Sequence, residues 1–417
     1  MRKTILMMFI MALCTTVSAK SKMFSVTVAN TLGIERRDMP VVIDIEDELS
    51  DDIQVATALV TCNGTEIPCQ LDDFDQDGEY DELVFLADLK GKEKKVYSVT
   101  LSEEGAPREY KSRVYGAIAL RDRAAKNQNH LPILSLTVPA SSNSYQYVYP
   151  HGPLLESEYV GFRIYCDHRQ SVDYYGHKNK QLELSETQFY PTKEQKSTTY
   201  GDDVLYTGST YGCGTMHGWN GKTSVMFENV RSRTYTLAAA GPLRTIIETV
   251  NKGWKISPES KPVDVRTRYI LYAGHRDVLV DVKFSRNVGD ISLSTGVTDI
   301  VGSESYSDKS GIRACWGRAL AGNNPKVYDE HTVGLAVCIP KQYYKGDSHF
   351  TNGKEKNPDQ AYVALLGTKS DRLHYWFSAT CDIESFGFPD SKAWFSHLAD
   401  WKEDVMNPLK ISIAKGK

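Results

Sequence analysis

Apolar and polar residues alternate in short runs along most of the chain, and this period of two constrains the fold more than any other feature. Phe24, Val26 and Val28 share one face of such a run, and similar runs lie at 41–45, 55–60 and 95–101. Beyond residue 112 the pattern returns at 114–120, 144–149, 160–165, 223–228, 234–238, 243–250, 265–272 and 278–284. It continues at 332–339, 361–366, 373–379 and 409–413. Gly, Pro, Asn and Asp punctuate the runs at intervals that suit an antiparallel sandwich. One segment stands out as helical. Pro389-Asp390-Ser391 offers a start, Ala393, Trp394, Leu398, Trp401 and Val405 share a face, and Asn407-Pro408 is a stop. The expected fold is therefore mainly β. A small N-terminal β-sandwich occupies residues 20–105, and a large antiparallel sandwich occupies 113–417 with the C-terminal helix packed on it. Residues 102–112 (SEEGAPREYKS) read as the linker between them.

Residues 1–19 have the three parts of a cleavable export signal: Arg2 and Lys3, the apolar run Thr4–Leu13, and Val17-Ser18-Ala19. The apolar run is about half of what a membrane-spanning helix needs, and no other run is long enough. The expected location is periplasmic or secreted, with no membrane span. Leu13 is bulkier than lipoprotein processing at Cys14 normally accepts. The formal net charge of −4 becomes −6 once Arg2 and Lys3 leave with the signal, which argues against a nucleic-acid partner. Of eight cysteines, loss of Cys14 leaves an odd seven. There is no CxxC pair for a zinc ribbon or a thioredoxin-type site. Cys62 and Cys69 flank the turn-prone Asn63-Gly64 and are placed to bridge neighbouring strands.

The sharpest spacing motif is Asp73-Phe-Asp75-Gln-Asp77-Gly78-Glu79-Tyr80-Asp81-Glu82. Carboxylates at alternate positions around a glycine are how a loop wraps calcium, so Asp73, Asp75, Asp77 and Asp81 are the candidate metal ligands. An EF-hand would carry an acid where this chain has Val84, and a strand-like run follows instead of a helix. An acidic hairpin turn is the competing reading. Calcium, if bound, is structural, and no other cofactor is required.

Two stretches concentrate chemistry: VGFRIYCDHRQSVDYYGHK from Val160 and YGCGTMHGWNG from Tyr211. They are read as lining one sugar-binding pocket. His177 and His217, each beside a glycine, are the candidate acid-base residues, and Tyr175 and Tyr211 the candidate acids. Arg163, Arg169 and Arg244 are candidates for gripping a carboxylate. Trp219 is a stacking platform and His151 a substrate-facing turn residue. Each has a bland reading as a packed or solvated side chain.

The DxDxDGxxDELVF run, VGFRIY followed by DYYGHK, YGCG, GPLRTIIET from Gly241 and the terminal AWFSHLADWKEDVMNPLKISI together resemble one family of secreted bacterial proteins, domain of unknown function 4861. The likeness covers almost the whole mature chain. It implies a β-supersandwich like that of galactose mutarotases and several polysaccharide lyases, and work beside polysaccharide-degrading enzymes that handle unsaturated uronic acids. It carries over no catalytic residues, and fold does not fix chemistry. The expectation is a carbohydrate-active enzyme whose partner is an oligosaccharide or polysaccharide. It would act on uronic-acid oligosaccharides by β-elimination, as a lyase or dehydratase. The alternatives are a glycoside hydrolase using acids among Glu183, Glu186, Asp202 and Asp203, or a non-catalytic sugar binder. No GxSxG, HExxH or phosphate-binding GxxxxGK[ST] occurs, and the oligomeric state is left undefined.

Overall fold

The computed structural model describes residues 20–45, 53–122, 130–322, 324, 326–351 and 359–415. The expected export signal at 1–19 and most of the acidic run at 44–52 lie outside them. The period of two does what hydrophobic burial demands of a strand, sending alternate side chains to opposite faces. In the first unit, a five-stranded sheet runs in the order Lys410–Lys415, Ser21–Ala29, Lys94–Ser102, Thr57–Cys62, Thr65–Ile67. A three-stranded sheet of Arg36–Asp44, Glu82–Leu89 and Cys69–Asp72 completes it. Phe24, Val26, Val28, Val41, Ile43, Leu83, Phe85 and Val99 form the core, and Leu409 joins them. The strand Lys410–Lys415 therefore lies outside the large sandwich in which the sequence pattern placed it. It pairs antiparallel with the first strand, Ile413 opposite Val26.

The large unit has two layers. One is a nine-stranded antiparallel sheet containing Ser232–Ala240, Arg244–Trp254, Val263–Tyr272, Asp277–Phe284 and Arg372–Cys381 as successive neighbours. The other combines a six-stranded sheet, which includes Val172–Gly176, Val160–Ile164 and Val148–Ser157, with a five-stranded sheet that includes His217–Trp219 and Leu293–Thr298. These two meet where Val172 bridges Gly212 and Cys213 bridges Val297. Gly212 has φ +61°, and a Cβ there would sit 1.9 Å from the Val172 carbonyl oxygen, so only glycine permits the junction. Phe162, Tyr174, Cys213 and Val297 from one layer pack with Tyr269, Val280, Tyr375 and Phe377 from the other.

The expected helix spans Ser391–Met406. The Asp390 side chain accepts from the Ala393 amide at 2.8 Å, capping the helix start. Trp394, Leu398 and Trp401 bury against Ile312, Ala314, Ala336 and Cys338. The proposed Cys62–Cys69 bridge is not formed. All seven described cysteines are free, and the Cys69 thiol instead contacts the Ala58 carbonyl at 3.7 Å.

The two units are joined by buried charge. Arg244, 2% exposed in its side chain, places Nε 2.6 Å from Asp72 and Nη2 2.6 Å from Glu82 of the small sandwich. Arg244 is thus committed to an interdomain ion triad, which corrects its assignment as a substrate ligand.

Candidate active site

Alternation on Val160–Ile164 sends Phe162 into the core and Arg163 to the opposite face. The antiparallel register then sets Asp173 directly across from Arg163. The buried guanidinium pairs with Asp173 and lies 3.6 Å from Asp203 Oδ2. It donates to the Tyr165 hydroxyl at 2.9 Å, the Tyr190 hydroxyl at 2.7 Å and the Pro150 carbonyl at 3.1 Å. The Phe189 ring centroid is 4.1 Å away. Burial and the nearby Asp173 charge push the Asp203 carboxyl well above the usual carboxylate range, and its buried Oδ1 has no hydrogen-bond partner.

Above this base lies a wall of rings. The strand Val148–Ser157 bulges against Val114–Leu120 between Tyr149 and Leu154, and within the bulge His151 takes φ +73°. A left-handed conformation is costly for a residue other than glycine, and such outliers concentrate at functional sites. His151 Nδ1 is 2.8 Å from the Tyr145 carbonyl. A carbonyl can only accept, so Nδ1 carries the proton and the Nε2 lone pair stays free. The half-buried imidazole stacks on Tyr145 at 4.2 Å and meets Tyr190 edge-on at 6.4 Å. Burial, with help from Arg163, Arg121 and Arg169, lowers its pKa to about 4, so the ring is neutral at pH 7.

Two more guanidinium groups complete the wall. Arg169 lies over Tyr165 at 4.9 Å and Tyr145 at 5.5 Å, but is tied to Asp167 at 2.7 Å. Arg121 lies over Tyr149 at 4.9 Å. Among the described residues it has no carboxylate partner, and its buried Nε is unsatisfied. The site can therefore offer a neutral base, an uncommitted cation and phenol hydroxyls within one aromatic surface.

Of the residues singled out in the sequence, Arg163, Arg169 and His151 come together here. The four acid-base candidates do not. His177 is fully buried, with Nε2 3.0 Å from Glu156 Oε1. His217 is fully buried and donates from Nε2 to the Arg169 carbonyl at 2.6 Å. Tyr175 donates to Glu183 at 2.9 Å and Tyr211 to Ser294 at 2.8 Å, both without exposed surface. None of the four can touch a substrate in this conformation. Trp219 packs with Tyr211, Phe350 and Val363 in a small core, so it is a plug, not a stacking platform. The hydrolase candidates are similarly occupied. Glu183 accepts from Tyr175 and the Gly201 amide, Glu186 from Tyr200, and Asp202 from Lys196 at 2.8 Å.

In the acidic loop, carboxylate oxygens of Asp73, Asp75 and Asp81 lie within 4.8 Å of one another. Asp77 stands apart from that group and accepts from the Glu79 amide at 2.8 Å. Sequence reasoning missed Arg121, Tyr145, Tyr149 and Tyr190 as site residues. The signal for two of them, Tyr145 and Tyr149, was the ring-rich run YQYVYPH at 145–151, where a proline masks the strand.

Fold and site define a two-layer, mainly β protein with an arginine- and tyrosine-rich face built around one neutral histidine. The chain belongs to the family described as "Domain of unknown function (DUF4861)", whose model matches residues 28–411. No curated protein matches it in sequence. Among solved structures it is similar to an alpha-mannosidase from Enterococcus faecalis V583, at 10% identity and TM-score 0.44, over 95% of this chain and 46% of that one. It is also similar to a protein in the glycosyl hydrolase family 38 from Enterococcus faecalis, at 10% identity and TM-score 0.45, over 95% of this chain and 47% of that one. The chain spans about half the length of both. Likeness at this level transfers no chemistry.

Proposed function

We propose that the protein is an exported carbohydrate-active enzyme that cleaves or dehydrates uronic-acid-containing oligosaccharides by β-elimination. The observation that carries the reading is His151, neutral and with Nε2 free, beside Arg121, which has no carboxylate partner among the described residues. Elimination needs a base for the C5 proton, a cation for the neighbouring carboxylate and an acid for the oxygen leaving C4. His151 Nε2 takes the C5 proton, and the C–H electron pair becomes the C4–C5 double bond as the C4–O bond breaks. Arg121 holds the sugar carboxylate while charge builds on it. Tyr190 gives its proton to the departing oxygen. Its hydroxyl already accepts from Arg163 Nη1 at 2.7 Å, which leaves its own hydrogen free and stabilises the resulting phenolate.

Burial keeps Tyr190 protonated, with its pKa pushed up to about 12. Asp173 balances the Arg163 charge, and both it and Asp203 are too buried to attack a sugar, which disfavours these two as the pair of a paired-carboxylate hydrolase. Export rests on the leader at 1–19; among the described residues no helix is long and apolar enough to cross a membrane.

The test is a panel of uronate oligosaccharides followed by the ultraviolet band of the 4,5-unsaturated product. His151→Ala should lower kcat by about 10²–10⁴-fold, and Arg121→Gln should raise KM and lower kcat together. Binding of the same sugars with no new double bond and no new product would leave only a sugar-binding protein.

A further inference from the structure

A concave surface lies on the nine-stranded sheet, in the layer opposite the one that carries His151. It is a groove of about 630 Å3 on the outer face of the nine-stranded sheet, between the acidic loop's Phe74 and the end of the helix at Val405 and Met406. The strand register orders this face into three rungs. Ile246, Ile270, Leu279 and Trp376 align in the first. Glu248, Arg268, Asp281 and His374 align in the second. Val250, Arg266, Lys283 and Arg372 align in the third. Side chains directly opposite one another in an antiparallel pair share a face, and like charges so placed repel. The third rung sets three cations side by side.

Glu248 is already held by Arg268 at 2.7 Å and is only 3.8 Å from Arg266 Nε. Among the described residues Lys283 and Arg372 have no acid partner. The crowding is felt. Burial, then Arg268 and Arg372 with opposing help from the acids, leaves the Arg266 guanidinium below its ordinary value. A fold that tolerates this repulsion has something to gain from an anion. The rungs also grade from an apolar strip containing half-buried Trp376 to a cationic one. Trp376 and Arg372 are four residues apart on one strand, about 13 Å, so the gradient fits an acidic oligosaccharide with one ring on the indole and the acidic group of a further ring over the arginines. The volume is in the range of small-ligand sites.

We infer that this groove is a second saccharide site, which binds a carboxylate- or sulfate-bearing oligosaccharide with one ring on Trp376 and an acidic group of another ring at Arg266 and Arg372. It would hold an acidic chain on the layer opposite the one that carries His151. The uronate reading of the active site supports the choice of sugar, while the charge pattern stands without it.

Trigalacturonate is titrated calorimetrically into full-length His151→Ala protein, whose turnover is slowed by the same substitution, with maltotriose and inorganic sulfate in parallel. The expected result is a trigalacturonate binding component that Arg266→Gln/Arg372→Gln weakens at least about tenfold, that Trp376→Phe weakens too, and that maltotriose lacks. The double variant in an otherwise native background should keep its melting temperature and its elimination activity on short substrates. Trigalacturonate binding unchanged by the double variant overturns the proposal, as does sulfate binding with none of trigalacturonate. Arginine-dependent binding in a protein that shows no elimination retains the groove and removes only the proposed reaction.

Discussion

Replacing Arg244 by methionine separates a structural rivet from a substrate ligand. The guanidinium is 2% exposed and reaches Asp72 and Glu82 at 2.6 Å each. Methionine keeps the length of the stem but removes both contacts. Asp72, 4% exposed in its side chain, then retains the Gln70 amide at 2.7 Å and no cation. Removing one partner of a buried pair costs about 3–5 kcal/mol, because the survivor is an uncompensated buried charge. Glu82 is 25% exposed and can turn to water, so Asp72 dominates the cost. Urea unfolding followed by tryptophan fluorescence should show the midpoint falling by that equivalent. Adding Asp72→Asn to Arg244→Met should recover part of it, since the stranded charge is gone. The KM of the folded enzyme should not move. A loss below about 1 kcal/mol, which is all an exposed pair is worth, would refute the argument, as would a raised KM at unchanged stability.

Other outcomes follow from the same geometry. His217 is fully buried and held down to about 4 by burial, whereas the free ring titrates near 6.5. Its contribution is therefore whole above about pH 6.5 and lost as pH falls towards 4, worth about 3 kcal/mol. His217→Gln, which still donates to the Arg169 carbonyl, should flatten the stability loss between pH 7 and 4.5 in urea titrations. His275, raised to about 9 chiefly by Asp277 against the cost of burial, acts in the opposite sense, stabilising at low pH and fading as pH rises through 9. Tyr190→Phe should reduce elimination of poor leaving groups far more than of good ones, and an equal loss for both would remove Tyr190 as the acid. We also propose that calcium binds Asp73, Asp75 and Asp81, so millimolar calcium should raise Tm and Asp81→Asn should abolish the rise. An unchanged Tm identifies an acidic turn.

Period-two alternation exposed most of the architecture, because burial of one face is a local property. It also put Arg163 on the face opposite Phe162, where the site is found. It failed at Val148–Ser157, since Pro150, Gly152 and Pro153 read as a turn although they form a bulge within a strand. His151 was noticed for its turn, and its role came from a tautomer and a neighbour's carbonyl that sequence does not encode. The glycines beside His177 and His217 misled in a specific way. They suggested open loops, but a Cβ on Gly176 would meet the Cys381 sulfur at 2.2 Å, and one on Gly218 would meet Ile256 at 2.5 Å. Those glycines mark crowding. Arg244 carried the same charge signal as Arg121, and only long-range contacts distinguish a satisfied guanidinium from a waiting one.

The strand Ser21–Ala29 lies between Lys94–Ser102 and Lys410–Lys415. During synthesis its partner on one side arrives early and its partner on the other only after the entire large sandwich has been made. Until then the first sheet has an open edge, a template for mispairing with other chains. A nascent chain in this condition stays incomplete at its first sheet. Completion of the first sheet is thus a timer set by residues 410–415, and closure registers that the large sandwich has already been made.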